Sequence, residues 1–152
     1  MKLIPIKETF EENEEFIDHP LCQDILPMSV DYYKKIGYVA PWIGYFAQHN
    51  GKLVGSAGFK GAPVNGKIEI AYGTFEEFQN QGMGTEICKQ LVEISLQTDP
   101  SVKITARTLE NDGYSAKILI KNHFTAVGTV IDPEDGEVWE WVYEGKRAVI
   151  AT

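Results

Sequence analysis

A glycine-containing segment near the middle of the chain has the residue types and spacing of a phosphate-binding turn. The segment is QNQGMGTE, Gln79–Glu86, and its glycines at positions 82 and 84 stand directly before an amphipathic stretch. Successive backbone N–H groups in such a turn, with the positive end of the following helix, form a site for phosphate oxygens. Glycine is needed because a side chain would hold the phosphates away from the amides.

A lone carboxylate, Glu69, is the second candidate for chemistry. It stands within the strand-like run Lys67–Thr74, and alternation places it opposite Ile68, Ile70 and Tyr72. A carboxylate on such a strand can accept a proton from a reacting group. It can equally be a solvated or ion-paired strand residue, and the sequence leaves both readings open.

Two common phosphate-binding motifs do not fit the glycine segment. The chain has no Gly-Lys followed by Ser or Thr, which a Walker loop requires. The dinucleotide fingerprint needs a third glycine three residues after the second, and position 87 is Ile. The pattern that remains is [Gln/Arg]-x-x-Gly-x-[Gly/Ala], filled by Gln79, Gly82 and Gly84.

The elements around these residues predict a mixed α/β domain. The predicted strands are residues 1–6, Trp42–Gln48, Lys52–Phe59, Lys67–Thr74, Ser101–Leu109, Ala126–Ile131 and Val138–Tyr143. The predicted helices are Phe10–Ile17, Asp31–Ile36, Gly84–Thr98 and Ser115–Asn122. The third helix joins two strands as a crossover, so those strands form a parallel pair in the centre of the sheet.

Composition limits the classes of function. The 152 residues form one predicted domain, 1–152, and no apolar run approaches the ~20 residues of a membrane span. The net charge of −8 disfavours nucleic acid and anionic membranes as partners and is compatible with an amine substrate.

Cys22 and Cys88 are far apart and lack zinc spacing, so we expect neither a disulfide nor a bound metal. The N-terminus lacks a signal-peptide pattern, which favours the cytoplasm.

Three segments in order resemble the GNAT acetyltransferase superfamily. The first is the run IEIAYGTFEEF, which resembles the EIGYxIxPEY run of the branch that includes ribosomal-protein N-terminal acetyltransferases. The second is the Gln79, Gly82, Gly84 pattern, which is similar to the superfamily's acetyl-CoA motif. The third, TLENDGYSAKILIKNHF, resembles the NxxSxxVLEKxGF run. The resemblance covers about residues 50–130, and the first 40 residues match nothing in the family.

The resemblance implies a fold and a donor site. The fold is a single GNAT-like α/β domain with a mixed, mostly antiparallel sheet, a splayed central parallel strand pair and flanking helices. The donor is acetyl-CoA, whose pantetheine arm lies along the gap between the splayed strands. The residues that this resemblance places at the donor are Thr74, Gln79, Asn80, Gln81, Gly82, Met83, Gly84, Thr85 and Ser115.

The resemblance also implies an N-acetyltransferase reaction in which an amine attacks the thioester directly in a ternary complex. The amide of Thr74 points at the thioester oxygen and stabilises the charge that develops there. Glu69 removes the proton of the acceptor, a protein N-terminus or a small amine. The candidate proton donor for the leaving thiolate is Tyr114, just before the second helix of the motif region, with water as the alternative donor and packing or cofactor contact as the alternative role of this tyrosine. The enzyme is expected to be a monomer or homodimer.

The chain departs from the family pattern in the second helix. The position of the family's tyrosine, counted back from Phe124, is Leu119, which cannot donate a proton. This departure keeps open a non-catalytic acyl-CoA-binding module on the same fold. A nucleotide- or phosphate-binding α/β domain that reuses the glycine loop is the third alternative. For Ser115, capping of the short helix is an alternative to donor contact.

Overall fold

The fold is a seven-stranded mixed sheet with helices on both faces, seen in a computed structural model that describes residues 1–145. The strands are β1 (Lys2–Pro5), β2 (Gly44–His49), β3 (Lys52–Phe59), β4 (Lys67–Thr74), β5 (Lys103–Thr108), β6 (Phe124–Asp132) and β7 (Gly136–Tyr143). The helices are α1 (Glu14–Ile17), α2 (Ile25–Ile36), α3 (Met83–Thr98) and α4 (Tyr114–Lys121). Short 3₁₀ turns lie at Glu11–Asn13, Pro20–Cys22 and Glu76–Phe78.

The strands lie in the order β1-β2-β3-β4-β5-β7-β6. Every neighbouring pair is antiparallel except β4 and β5, which are parallel and joined by α3 as the crossover. This arrangement confirms the predicted fold class, including the central parallel pair. The single-domain prediction covers residues 1–152, of which 146–152 lie outside the described residues, and it stays a prediction.

Local sequence signals explain most of the element boundaries. The turn at Asn50–Gly51 has positive φ at both residues, as a two-residue hairpin turn requires, and it joins β2 to β3. The strands β3 and β4 have the predicted bounds. On α3, Ile87, Leu91 and Ser95 form a fully buried stripe at helical spacing.

The second helix is longer than the sequence indicated. The prediction began this helix at Asp31 because Pro27 was read as a break, whereas α2 begins at Ile25 and includes Pro27 in its first turn. Proline is tolerated there because an amide in the first turn has no intrahelical acceptor. The hydroxyl of Tyr33 anchors α2 to the sheet, since it donates to the Ile6 carbonyl at 2.9 Å and accepts from the Gly44 amide at 2.8 Å.

Candidate active site

The strands β4 and β5 part halfway along their length. Their pairing runs from Lys67 with Lys103 to Ile70 with Ala106 and stops there, although β4 continues to Thr74. Beyond that point the β5-facing edge of β4 borders a gap with a cavity of about 170 Å³. The predicted splay of the two central strands is therefore present.

The backbone of β4 presents hydrogen-bonding groups to this gap. The carbonyl of Ile68 points towards β5, where it accepts from Thr105 Oγ1 at 3.1 Å. The amide of Phe75 points the other way, donating to the Val54 carbonyl at 2.9 Å. Because these directions alternate along a strand, the amides of Tyr72 and Thr74 face the gap. This register is compatible with the role that the resemblance implies for the Thr74 amide, which stays a prediction.

The side chain of Thr74 is also placed for a ligand. Its Oγ1 is buried and has no hydrogen-bond partner among the described residues. Buried hydroxyls are rarely left unpaired, because the desolvated group then loses its bonds to water without replacement. An orphaned hydroxyl beside gap-facing amides fits a polar, chain-like ligand lying between the strands.

The loop before α3 has a backbone geometry compatible with the predicted phosphate-binding turn. Asn80 and Gly82 both have positive φ, at 62° and 82°, and Gly82 is the N-cap of α3. The first amide of this region that donates within the helix is that of Glu86, which bonds the Gly82 carbonyl at 3.1 Å. The amides of Gly84 and Thr85 thus belong to the first turn, where N–H groups lack intrahelical acceptors and attract anions.

Glycine is required at the two positions of the motif for different structural reasons. A Cβ on Gly82 would meet nothing within 4 Å, so its neighbourhood is open to a ligand, and its left-handed backbone favours glycine. A Cβ on Gly84 would lie 2.6 Å from Ile118 Cδ1 and 3.1 Å from Thr74 Oγ1. The second glycine therefore allows α3 to pack closely against α4 and β4, a role that the sequence did not indicate.

The remaining loop side chains hold the turn together. Gln79 Nε2 donates to the Thr74 carbonyl at 3.3 Å, and Gln81 Nε2 donates to the Glu77 carbonyl at 3.2 Å. Met83 is the first residue of α3 and is partly buried against the core. Gln79 thus ties the turn before α3 directly to the end of β4, the strand that borders the gap.

Glu69 lines the cavity at the gap, and its carboxylate lies between two cations. Its side chain is 21% exposed, and its oxygens are 3.9 Å from Lys60 Nζ and 3.7 Å from Arg107 Nε. Burial raises the pKa of Glu69 above its ordinary value, and the charges of Lys60 and Arg107 oppose that rise. A carboxyl whose pKa is raised by burial is better matched to proton transfer near neutral pH than an exposed one. Both the predicted ion pairing and a catalytic role are compatible with this environment.

Sequence reasoning did not identify the cations around Glu69. β5 begins with the exposed Lys103, and Arg107 is a second charged residue near the other end of this strand, which is the signal that would have drawn attention to it. Its partners Asp132 and Glu140 lie on β6 and β7 and are remote in the sequence. Only the pairing of β5 with β7 brings them together.

A larger cavity of about 810 Å³ lies beside the gap, between α2 and the central strands. Its walls include Tyr32 and Tyr45, and small residues such as Ala71 and Gly73 of β4 contribute to its lining. Lys60, Ala71 and Tyr72 line both cavities, so the large cavity and the gap meet at this point. An acceptor in the large cavity would therefore approach the strand that carries Glu69.

Tyr114 lies near the turn before α3. It is the first residue of α4, is 41% exposed, and its hydroxyl is 3.4 Å from the position of a Cβ on Gly84. Leu119, at the position of the family's tyrosine, is fully buried and lines the gap. The role of Tyr114 as proton donor stays a prediction.

Ser115 is the second residue of α4 rather than its cap. The N-cap is Gly113, which makes no side-chain cap bond, so the capping interpretation of Ser115 was wrong by two residues. Ser115 lines the gap, and its carbonyl accepts from the Tyr72 hydroxyl at 3.5 Å. This location is compatible with the predicted contact to the donor.

Comparisons with known proteins agree with this geometry. The acetyltransferase (GNAT) domain family matches residues 2–125. A curated relative, the uncharacterized N-acetyltransferase YjdG of Bacillus subtilis (strain 168), is 31% identical over 98 residues, which cover 64% of this chain. The match covers 55% of that relative, so the chain spans just over half the length of the curated relative that it matches.

Solved structures of acetyltransferases share the fold. Aminoglycoside acetyltransferase AAC(6′)-Ib in complex with coenzyme A has a TM-score of 0.66 at 21% identity, with 99% of this chain and 96% of that chain covered. RimL, a ribosomal L7/L12 alpha-N-protein acetyltransferase in complex with coenzyme A, has a TM-score of 0.63 at 16% identity, with 93% and 97% covered. At these identities the similarity is one of fold.

Proposed function

Because the chain belongs to the GNAT acetyltransferase family, we propose that it is an acetyl-CoA-dependent N-acetyltransferase. The acceptor is a primary amine, either a protein N-terminus or a small amine, which attacks directly in a ternary complex. The observation that carries this proposal is the parting of β4 and β5 after Ile70 and Ala106. The proposal is supported by Glu69, which lines the cavity at this gap, and by Thr74, whose carbonyl accepts from Gln79 of the turn before α3.

The chain's own residues supply binding, orientation and proton transfer. Acetyl-CoA supplies an acetyl group that is already activated as a thioester. The amides of the turn, including those of Gly84 and Thr85, hold the diphosphate, and the gap-facing amides of β4 align the arm that bears the acetyl group. The Thr74 amide orients the acetyl oxygen. Glu69 accepts a proton from the ammonium form of the acceptor, which is not a nucleophile until it loses that proton.

The proposed acceptor site is the 810 Å³ cavity beneath α2. Solved relatives of the same fold include an aminoglycoside acetyltransferase and a chimera of spermidine N-acetyltransferase SpeG from Vibrio cholerae, the latter with a TM-score of 0.66 at 10% identity over 94% of this chain and 95% of that one. The acceptors named for these relatives are used here as test compounds and do not identify the acceptor of this protein. The proposed location is the cytoplasm, supported by the two buried free thiols of Cys22 and Cys88.

The test is a thiol-release assay with acetyl-CoA and three acceptors, namely kanamycin, spermidine and a peptide with a free α-amino group. We expect release of coenzyme A that depends on at least one acceptor, with the acetylated amine identified by mass spectrometry. Calorimetry with coenzyme A accompanies the assay. Absence of binding would contradict the proposal at its foundation.

A second candidate is a non-catalytic acyl-CoA-binding module, favoured by the buried Leu119 at the position where the family has a proton-donating tyrosine. This candidate predicts calorimetric binding of coenzyme A without transfer to any acceptor of the panel. Transfer that is lost in Glu69→Gln while coenzyme A binding persists would exclude it.

A further inference from the structure

We propose that Arg107 is a positioning residue, which fixes the Glu69 carboxylate at the gap between β4 and β5 and keeps it ionised. The inference rests on the proposed function, in which Glu69 accepts the proton of the amine. Arg107 acts through Glu69 and is assigned no contact with donor or acceptor. The closing experiments separate a failure of this inference from a failure of the proposed function.

The guanidinium of Arg107 contacts three carboxylates from three different strands. Its Nη1 donates to Asp132 Oδ2 at 3.0 Å, and its Nη2 is 3.6 Å from Glu140 Oε1. Its Nε is 3.7 Å from Glu69 Oε1. Arg107 and Glu140 are also directly paired in the register of β5 with β7. The planar guanidinium has its donors in a fixed fork, so holding two nitrogens also fixes the direction of the third.

Asp132 is itself immobilised by the turn that follows β6. Its Oδ1 accepts from the amides of Glu134 at 2.8 Å and Asp135 at 3.2 Å, which leaves Oδ2 for Arg107. The amide of Glu134 first, and then Arg107, lower the pKa of Asp132 to about 2. Asp132 is therefore ionised throughout the working pH range and anchors the arginine permanently.

The nitrogen that faces Glu69 has no hydrogen-bond partner within residues 1–145. Arg107 Nε is buried, and at 3.7 Å the carboxylate of Glu69 is just beyond hydrogen-bond distance. A buried donor without an acceptor is unfavourable, so a small movement of Glu69 towards Nε is favoured. The guanidinium thus offers Glu69 one preferred position at the gap.

The other charged groups around Glu69 differ in how firmly they are held. Lys60, from the loop after β3, lowers the pKa of Glu69, but its side chain is 37% exposed and it has no second anchor among the ion pairs of the described residues. Asp132 from β6 and Glu140 from β7 raise that pKa, and from α2 Tyr32 faces the same cluster. Arg107 combines an opposite charge with two carboxylate anchors, which is why we assign the positioning role to it.

The direct test is a pH titration of the Glu69 side-chain carboxyl by ¹³C NMR, with its resonance identified from Glu69→Gln. In Arg107→Gln the midpoint should rise by about one pH unit, because an opposite charge close to the carboxylate has been removed. Arg107→Lys retains the charge and should restore most of the shift. The matched control Lys34→Gln removes an equal charge that is paired with Asp31 on the exposed face of α2, and should leave the midpoint unchanged.

A second uncharged variant keeps the test decisive if Arg107→Gln does not fold. Arg107→Met retains a long side chain without its charge, so the Glu69 midpoint should rise in this variant as well. An unchanged midpoint in either variant would overturn the inference. Neither titration needs an acceptor.

Kinetics provides the second readout. In Arg107→Gln the acid limb of the pH profile of kcat/KM should shift to higher pH together with the Glu69 midpoint. At a pH below both midpoints, kcat/KM should therefore be about tenfold lower than in the wild type. In a Glu69→Gln background the arginine substitution should add no further loss. If the wild type transfers no acetyl group, the proposed function fails while the titration still decides the role of Arg107. If transfer occurs but the acid limb is unmoved by Arg107→Gln, only the present inference fails.

Discussion

At the scale of single residues, Glu69 combines features that are rarely found together. It is a half-buried carboxylate on a central strand, its pKa is raised by burial, and two cations oppose that rise. Strand alternation predicted its face from sequence, because the period of two is a local property. The cations were not predicted, since Arg107 meets Glu69 only through the parallel pairing of two strands separated by α3.

Replacement of Glu69 by Gln should lower kcat by about 10²- to 10⁴-fold, the range expected for loss of a general base. The affinity for coenzyme A should hardly change, because Glu69 lies away from the turn before α3. Steady-state thiol release and calorimetry measure the two quantities. The matched control is Glu137→Gln, an exposed carboxylate on β7, which should leave both unchanged. Wild-type turnover in Glu69→Gln would remove this residue from the mechanism.

At the scale of elements, the start of α3 explains why the motif contains two glycines. Gly82 has a left-handed backbone in open surroundings, whereas Gly84 lies against Ile118 of α4. The sequence predicted the helix and its glycines but not this division of roles, because the packing of α3 on α4 depends on contacts between distant residues. The early start of α2 was missed for a different reason, since proline in a first turn looks like a break when read alone.

Gly82→Val should abolish detectable binding of coenzyme A while the fold survives. A side chain at this position projects into the open space of the turn, and its left-handed backbone costs about 1–2 kcal/mol. The matched control is Gly51→Val in the β2–β3 turn, which has a similar φ of 77° and equally open surroundings. Both variants should lose a comparable amount of thermal stability, but only Gly82→Val should lose the calorimetric signal. Equal affinity in the two variants would argue against the proposed diphosphate site.

Gly84→Ala should destabilise the fold by about 1–3 kcal/mol, because the new methyl group overlaps Ile118 Cδ1. Ile118→Val removes that methyl group and should recover part of the loss in the double variant. Urea denaturation of the wild type, both single variants and the double variant gives the coupling energy between the sites. Strictly additive effects would show that the clash is relieved elsewhere.

At the scale of the whole molecule, the order of elements was predictable and the long-range partners were not. Strand periodicity, the Asn50–Gly51 turn and the amphipathic α3 are local signals, and they give the mixed sheet with its central parallel pair. The contacts of Arg107 with Asp132 and Glu140 depend on how β6 and β7 fold back beside β5. Both carboxylates also lie beyond residues 2–125, which the family match covers.

The global stability should reveal the cost of keeping Glu69 ionised. Since its pKa is raised in the folded state, the folded protein binds this proton more tightly than the unfolded chain, and stability falls as the pH rises through the folded pKa. Glu69→Gln should therefore have a larger free energy of unfolding than the wild type at neutral pH. The difference in the free energy of unfolding between Glu69→Gln and the wild type should disappear at a pH below the ordinary pKa of glutamate. Urea denaturation across this pH range measures it, and a less stable variant at neutral pH would contradict the prediction.

The short parallel pairing of β4 with β5 has a consequence for how this fold can diverge in evolution. In the part of the chain that the structure describes, four paired residues of β4 and β5 join the antiparallel half β1–β4 to the antiparallel half β5–β7. A Cβ on Gly84 would meet both Thr74 Oγ1 at the end of β4 and Ile118 Cδ1 of α4. We therefore expect side-chain volume at this contact to influence the width of the opening, and substitutions at positions 84 and 118 to alter which acyl chains it accommodates.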